Sequence, residues 1–367
     1  MRTNIRDDLH DNVFNNLNNI DFSDLDQMAT NLGSGGVLFG GYNFTTMIGR
    51  ILTGEFATDY PNMFAALLSI AGGAILQILP IIAMIVGAAV LTGFIQNLRS
   101  DKSGEGVQSV IHFTTLAVIV TLVMFLVADL TMMATGALAS MKAQMDIIFP
   151  ILLTMMATVG GHVSVGVYQP AVLMLSNGVM QIFSYVIMPI FIITLVFNVI
   201  GNLSSTTKYD RFNGFFQSLY KWILGITFTV FLGFLSIQGL VAATHDGISI
   251  RAAKFTMSSY VPFLGGYLSQ GFDLIMASSV LIKNATGMAG LYLLLGVVLG
   301  PIIKIAVVIL ALKLAAAITQ PFADQRISNF LNGIVKSFSM LAAVLIGASF
   351  MYFITIGLVM LTGNVLR

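Results

Sequence analysis

Cysteine is absent from this 367-residue sequence, so neither a disulfide framework nor a thiolate metal site can form, and the redox compartment stays undetermined. Charge is scarce. Only 9% of the residues are Asp, Glu, Lys or Arg, against about 25% in an ordinary soluble domain, and that inventory cannot cover a water-exposed surface. The formal net charge of +1 excludes a broad nucleic-acid footprint. Catalytic signatures are missing as well: there is no H-E-x-x-H zinc helix, no G-x-x-x-x-G-K-[ST] phosphate loop and no G-x-S-x-G nucleophile elbow. Energy for any transport must therefore come from gradients or from another protein. His10-Asp11 and His245-Asp246 have no third catalytic group nearby in sequence and read as loop or capping pairs. The expectation is a non-enzymatic chain without a cofactor.

Apolar residues fill the space that charges leave, at 57% of the chain with a mean hydropathy of +0.91. No formal charge occurs between Asp59 and Arg99, Glu105 and Asp129, Asp146 and Lys208, or Lys221 and Asp246. Two further windows follow, Asn284 to Ala317, broken only by Lys304 and Lys313, and Ser337 to Leu366. A helix needs about 20 apolar residues to cross a ~30 Å hydrocarbon layer, so each window can hold a span and the one after Asp146 can hold two. The fold class expected is an all-α, polytopic transmembrane helix bundle with about seven hydrophobic segments. Runs such as Ile81 to Val90 do not alternate, which argues against a β-barrel. Small residues, as in Ala71-Gly72-Gly73-Ala74 and Gly296 to Gly300, let helix backbones approach closely in lipid and imply a compact bundle.

Residues 1–60 form a separate region carrying eight acids against three bases, net −5, which leaves +6 for the polytopic domain 61–367. Ile5, Leu9, Val13, Leu17 and Ile20 recur at helical spacing, so residues 4–30 read as an amphipathic helix that packs on the rest of the protein or binds a partner. Gly33 to Gly36 and Gly40-Gly41 read as a flexible connection to the first span. No apolar h-region follows Met1-Arg2-Thr3, so no secretory signal is read there. Placing residues 1–60 outside the cytoplasm puts the Arg99/Lys102 and Lys208/Arg211/Lys221 turns inside, as the positive-inside tendency favours, provided that Pro150 to Pro170 re-enters rather than crosses.

Landmarks recur in order. Pro150 and Pro189 are 39 residues apart, as are Pro262 and Pro301, and Asn213-Gly214 through Ser218 parallels Asn332-Gly333 through Ser337. An internal repeat over roughly 140–245 and 251–367 accounts for them and implies pseudosymmetric packing.

Lys304, three residues after Pro301 in an apolar helix, is the strongest candidate for a passage or coupling site. An ammonium group near mid-membrane costs a few kcal/mol unless it snorkels or finds a partner. It either reaches an interface or a carbonyl freed by Pro301, or lines a polar passage and binds a carboxylate such as Asp129 or Asp273. The connection from Asp246 to Lys283 carries Arg251, Lys254 and Asp273, with Leu264, Leu268, Phe272, Ile275 and Ile282 near one helical face. It reads as an interfacial helix or as a partner-docking surface using Asp246, Arg251, Lys254 and Lys283. Asp324 and Arg326, in the turn after Gln320-Pro321, have the same two readings: docking a soluble subunit or solvating a loop.

The carboxy-terminal half carries a more specific pattern. Phe231-Leu232-Gly233, Ser236-Ile237-Gln238-Gly239, Asp246-Gly247-Ile248-Ser249-Ile250-Arg251-Ala252-Ala253-Lys254-Phe255 and Val261-Pro262 are followed by Leu281-Ile282-Lys283-Asn284-Ala285 and by Lys313 through Pro321. Weaker elements precede them at Leu153 to Ala157, Gly160-Gly161 and Gln169-Pro170. In this order, over roughly 140–367, the chain resembles the stage III sporulation protein AE family of endospore-forming bacteria. It departs locally at Ser258-Ser259-Tyr260 and Ser269-Gln270-Gly271.

The resemblance implies an integral cell-membrane protein of the mother-cell membrane around the engulfed forespore. It implies a place in a secretion-like channel complex with a secretion-type ATPase, ring-forming intermembrane proteins and a forespore-membrane protein, serving forespore development. It implies neither a nucleic-acid partner nor a cofactor. A self-sufficient secondary transporter and a scaffold without a pore are the rival expectations.

Overall fold

The computed structural model describes residues 17, 20–32, 41–55, 60–98, 105–203, 210–260, 265–321 and 325–362, with backbone alone for 60–63, 96–98, 105–109, 112, 203, 210, 239–260 and 265–273. Among the described residues there is no strand. Two short helices, α1 (Ser23–Thr30) and α2 (Phe44–Thr53), precede the long ones. These are α3 (Tyr60–Leu98), α4 (Glu105–Thr158), a third traverse made of α5 (His162–Leu173), α6 (Met180–Ile182) and α7 (Met188–Leu203), then α8 (Asp210–Tyr260), α9 (Gly265–Thr319) and α10 (Gln325–Leu361). Among the described residues six segments are long and apolar enough to cross a membrane: Phe64–Ile95, Phe113–Thr158, His162–Asn202, Arg211–Gln238, Leu274–Thr319 and Gln325–Leu361.

Six rather than about seven follows from how the Asp146 to Lys208 window is used. α4 runs through Pro150 to Thr158, and the chain then reverses at Gly160, whose φ of +84° suits glycine. Only one traverse remains in the window. The stretch from Pro150 to Pro170 is thus the tip of a helical hairpin. In the third traverse, two π-helical stretches, Met174–Val179 and Phe183–Ile187, lie between Pro170 and Pro189. Pro189 has no N–H to give the Tyr185 carbonyl, and wider i to i+5 pairing is the local alternative.

Contacts between helices set their directions. Asp129 meets Lys304 and Gln144 meets Gly290, so α4 and α9 are antiparallel. Thr362 bonds Tyr168 and Asn198 reaches Phe330, so the third traverse runs antiparallel to α10. Tyr220 bonds the Met340 carbonyl while Phe228 faces Gly347, so α8 and α10 are parallel. The long helices therefore alternate up and down, and the links after α3, α7 and α9 share one end. Of the repeated landmarks, Pro189 and Pro301 lie within the third traverse and α9, and Asn213-Gly214 and Asn332-Gly333 lie in the first turns of α8 and α10 respectively.

α10 buries a stripe of Phe330, Ile334, Phe338, Leu341, Leu345, Ala348, Tyr352 and Ile356, at the three- and four-residue spacing of a helix face. Lipid is as apolar as this stripe, so close packing rather than transfer from water rewards the contact. Phe64, Leu76, Phe94, Phe125, Tyr185, Trp222, Leu310 and Phe353 remain exposed, which suits a hydrocarbon surround.

The segment 265–283 continues into the rest of α9 without interruption, as one helix. No proline or turn separates its apolar positions from the rest of α9, and Met276 packs with Val159 at the α4 tip.

At the amino-terminal side the described chain bends at Ile20 and a new helix starts at Ser23, so one helix does not run over 4–30. Asp21 accepts the Ser23 N–H, which holds its carboxyl below the ordinary carboxylate range. Ile5, Leu9 and Val13, and the glycines of 33–40, lie outside the described residues. α2 lies between the glycine-rich connection read at 33–41 and the first long helix. Asn43 caps it by accepting the Thr46 N–H at 3.0 Å, and Gly54 ends it at φ +79°. Asp26 ties α1 to α2 through the Thr45 N–H and hydroxyl, both at 2.8 Å, beside the Phe22 and Phe44 rings at 5.7 Å. Asp26→Ala is expected to loosen this unit by about 2 kcal/mol, two charge-assisted bonds being lost at a partly buried site. Faster amide exchange in α1 and α2, with the long helices unchanged, is the readout.

Candidate functional site in a polar cavity

Gly73 and Ala74 on α3, Ala137 on α4, and Gly296 and Gly300 on α9 face one another where no larger side chain fills the space. They leave a cavity of about 590 Å³. Compact approach is achieved elsewhere: a Cβ on Gly290 would lie 2.0 Å from Ile148, and one on Gly347 would lie 2.5 Å from Phe228. The small-residue runs therefore have two outcomes, contact where an opposing branched side chain reaches in and a void where both faces are small.

Polar groups are concentrated on the cavity wall. Ser69 and Gln77 come from α3, Ser140 from α4 and Lys304 from α9, while Asn31 and Leu32, at the end of α1, close one side. Pro301 and Val297 also line it. Having no N–H, Pro301 cannot serve the Val297 carbonyl one turn earlier. Lys304 Nζ lies 2.8 Å from Asp129 Oδ2, with side chains 21% and 51% exposed. Of the two carboxylates considered for Lys304, the structure thus selects Asp129. The pair offsets much of the cost of carrying charge among apolar helices.

Other polar ties brace the bundle. Lys142 contacts Asp146 at 2.6 Å, and Asp146 also accepts the Ser176 hydroxyl from the first π stretch. Gln144 donates to the Gly290 carbonyl at 2.8 Å, and Asn198 to that of Phe330 at 3.2 Å. Among the described residues no group of three His, Asp or Glu is placed to hold a metal ion.

The structure describes the residues singled out from sequence in part. Lys304 and Pro301 share the cavity. Lys283, expected from sequence among the docking residues, is 0% exposed and donates to the Thr362 carbonyl, so its ammonium tethers the end of α10. The α10 terminus leaves carbonyls without helical donors, and a buried cation finds its acceptor there. Arg326 is exposed in the first turn of α10. Asp246, Arg251 and Lys254 sit on the far part of α8, with side chains outside the described residues, and Asp324 lies wholly outside them. Ser69, Gln77, Ser140 and Asn31 were not legible as site residues, because single polar residues in apolar helices carry no spacing signal.

A family model described as stage III sporulation protein AE matches residues 42–363, from just before α2 to the end of α10. The chain belongs to the stage III sporulation protein AE family. The match reaches further toward the amino terminus than the motifs over 140–367 and takes in α3 and half of the cavity wall. A similar protein is stage III sporulation protein AE of Bacillus subtilis (strain 168), 30% identical over 231 residues, or 63% of this chain and 58% of that relative. The alignment thus spans less than two thirds of the relative's length. No solved structure matches. Membership in a sporulation family and six helices able to cross a bilayer describe a membrane protein of sporulation.

Proposed function

We propose that this protein is the polytopic membrane core of the transport apparatus that links mother cell and forespore, without enzymatic activity of its own. In this reading it resides in the mother-cell membrane facing the engulfed forespore and works with a secretion-type ATPase, ring-forming intermembrane proteins and a forespore-membrane partner. The observation that carries the reading is the cavity with its Lys304–Asp129 pair: charged groups inside a membrane bundle are costly and typically mark a substrate or ion path.

Orientation follows from the alternation of the helices. The links after α3, α7 and α9 share an end, and the sequence there supplies Arg99, Lys102, Lys208, Arg211 and Arg326. By the positive-inside tendency this end faces the cytoplasm, which leaves α1, α2 and the α8–α9 link on the far side. At that far side Lys283 meets Thr362, so the earlier part of α9 and the adjoining part of α8 have no α10 beside them. That hairpin carries Asp246, Arg251 and Lys254 and supplies a surface on which a ring can be anchored. The internal repeat over 140–245 and 251–367 would make the α5–α8 and α9–α10 hairpins pseudosymmetric walls of the bundle.

The cavity also favours a second reading, a self-sufficient secondary transporter. Solute flux through the purified protein alone supports the transporter; flux that needs the partner proteins supports a component of the complex. Lys304→Met is expected to leave the protein in the membrane while spore yield falls sharply, measured as heat-resistant colonies beside an immunoblot of membranes. Normal spore yield at normal protein level would remove Lys304 from the passage.

A further inference from the structure

We infer that the cavity between α3, α4 and α9 binds a small organic carboxylate through Lys304, an inference that rests on reading this cavity as part of the passage. The wall offers one ammonium group (Lys304), two carboxamides (Asn31 and Gln77) and two hydroxyls (Ser69 and Ser140), set among glycine, alanine and aliphatic side chains. An ammonium group has three donors and behaves as a compact point charge. Asp129 Oδ2 takes one of them at 2.8 Å. Asp129 is not among the residues lining the cavity, whereas Lys304 is. Asp129 stands one helical turn from Met133 on the same face of α4, so it takes one donor from the edge of the cavity and leaves the ammonium two others.

Charge and size define the ligand class. One lysine, already balanced in part by Asp129, matches a single negative charge better than a doubly charged phosphate, which recruits clustered arginine or several lysines. The carboxamides both donate and accept, and the Ser69 hydroxyl, which donates to the Ala66 carbonyl, keeps its oxygen free to accept. These groups suit the amino or hydroxyl substituents of a small acid. A volume of about 590 Å³ lies in the range of small-molecule pockets, and a largely apolar wall with a few polar groups is their usual composition. An incoming carboxylate competes with Asp129 for Lys304, so the two interactions are opposed.

That opposition gives the test its sign. The full chain is reconstituted in phosphatidylcholine nanodiscs, and equilibrium binding of tritiated acetate, glutamate and lactate is measured, with inorganic phosphate as competitor. At least one carboxylate is expected to bind saturably. Lys304→Met should abolish binding, whereas Asp129→Asn should tighten it about tenfold by releasing a charge-assisted competitor. A brace without a ligand has no reason to move the two variants in opposite directions. Gly73→Phe, where a Cβ meets nothing within 4 Å, fills the cavity from α3 without touching the pair and should also abolish binding, which covers the case that Lys304→Met fails to fold. Retention of no carboxylate by the unaltered chain and by Asp129→Asn overturns the inference, as does binding unchanged by Lys304→Met and Gly73→Phe. Displacement by phosphate, or loss of binding in phosphatidylglycerol nanodiscs, would reassign the site to a phosphate headgroup. If nothing binds yet Lys304→Met still lacks spores, the passage reading survives and the ligand falls; binding without any sporulation defect gives the reverse.

Discussion

Gly290→Leu is expected to stop the bundle from closing, with a loss of about 4 kcal/mol from overpacking and a broken buried hydrogen bond together. Gly290 sits where α4, α9 and α10 converge. Even a Cβ there would come within 2.0 Å of the Ile148 side chain and 3.6 Å of Ile356. Its carbonyl accepts the Gln144 carboxamide at 2.8 Å, and Gln144 is fully buried. Moving α4 outward to admit leucine withdraws that acceptor and strands a polar group among apolar neighbours. Gly73→Leu is the matched control, since the same side chain enters the cavity there. Solubilised protein should show a dispersed size-exclusion profile and a lower unfolding temperature for Gly290→Leu, with a near-native profile for Gly73→Leu. A native profile for both would contradict the packing described here.

Tyr352 gives the second large effect and separates shape from polarity at one position. Its ring is buried against Phe149, with centroids 5.5 Å apart, and its hydroxyl has no hydrogen-bond partner among the described residues. Tyr352→Ala leaves a void among close-packed helices and is expected to cost about 3–5 kcal/mol. Tyr352→Phe keeps the ring and removes an unsatisfied buried oxygen, so stability should be unchanged or slightly higher. Thermal unfolding in one detergent ranks the three proteins. Equal losses for Phe and Ala would mean that the hydroxyl has a partner that stabilises the fold.

The long helices were legible because charges are excluded from hydrocarbon, so gaps such as 60–98 and 222–245 mark spans without reference to any neighbour. Lys304 was legible by the same logic, as an exception within such a gap. Its partner was not. Asp129 and Asp273 are equally acceptable in composition, and the choice between them depends on the antiparallel register of α4 and α9, which also seats Gln144 on Gly290. The surroundings of Lys283 were hidden for a related reason: its neighbours Asp273 and Lys254 read as a water-facing connection, and only the packed structure shows the end of α10 returning to it. The count of spans differed because a window of uncharged residues measures length and not continuity. Pro150 did not end α4, while the glycine at 160 did.

The chain by itself determined that this protein seeks a bilayer, that it does so with helices, and that a lone lysine three residues after Pro301 needs an answer. These are costs borne residue by residue, against solvent or lipid, whatever else folds nearby. Tertiary structure alone decided that the answer is Asp129, that Gly73 and Gly300 border a void while Gly290 seals a contact, and that the end of α1 reaches the cavity. Those outcomes depend on which side chains from distant segments share a level in the bundle, and register is a property of the packed helices together.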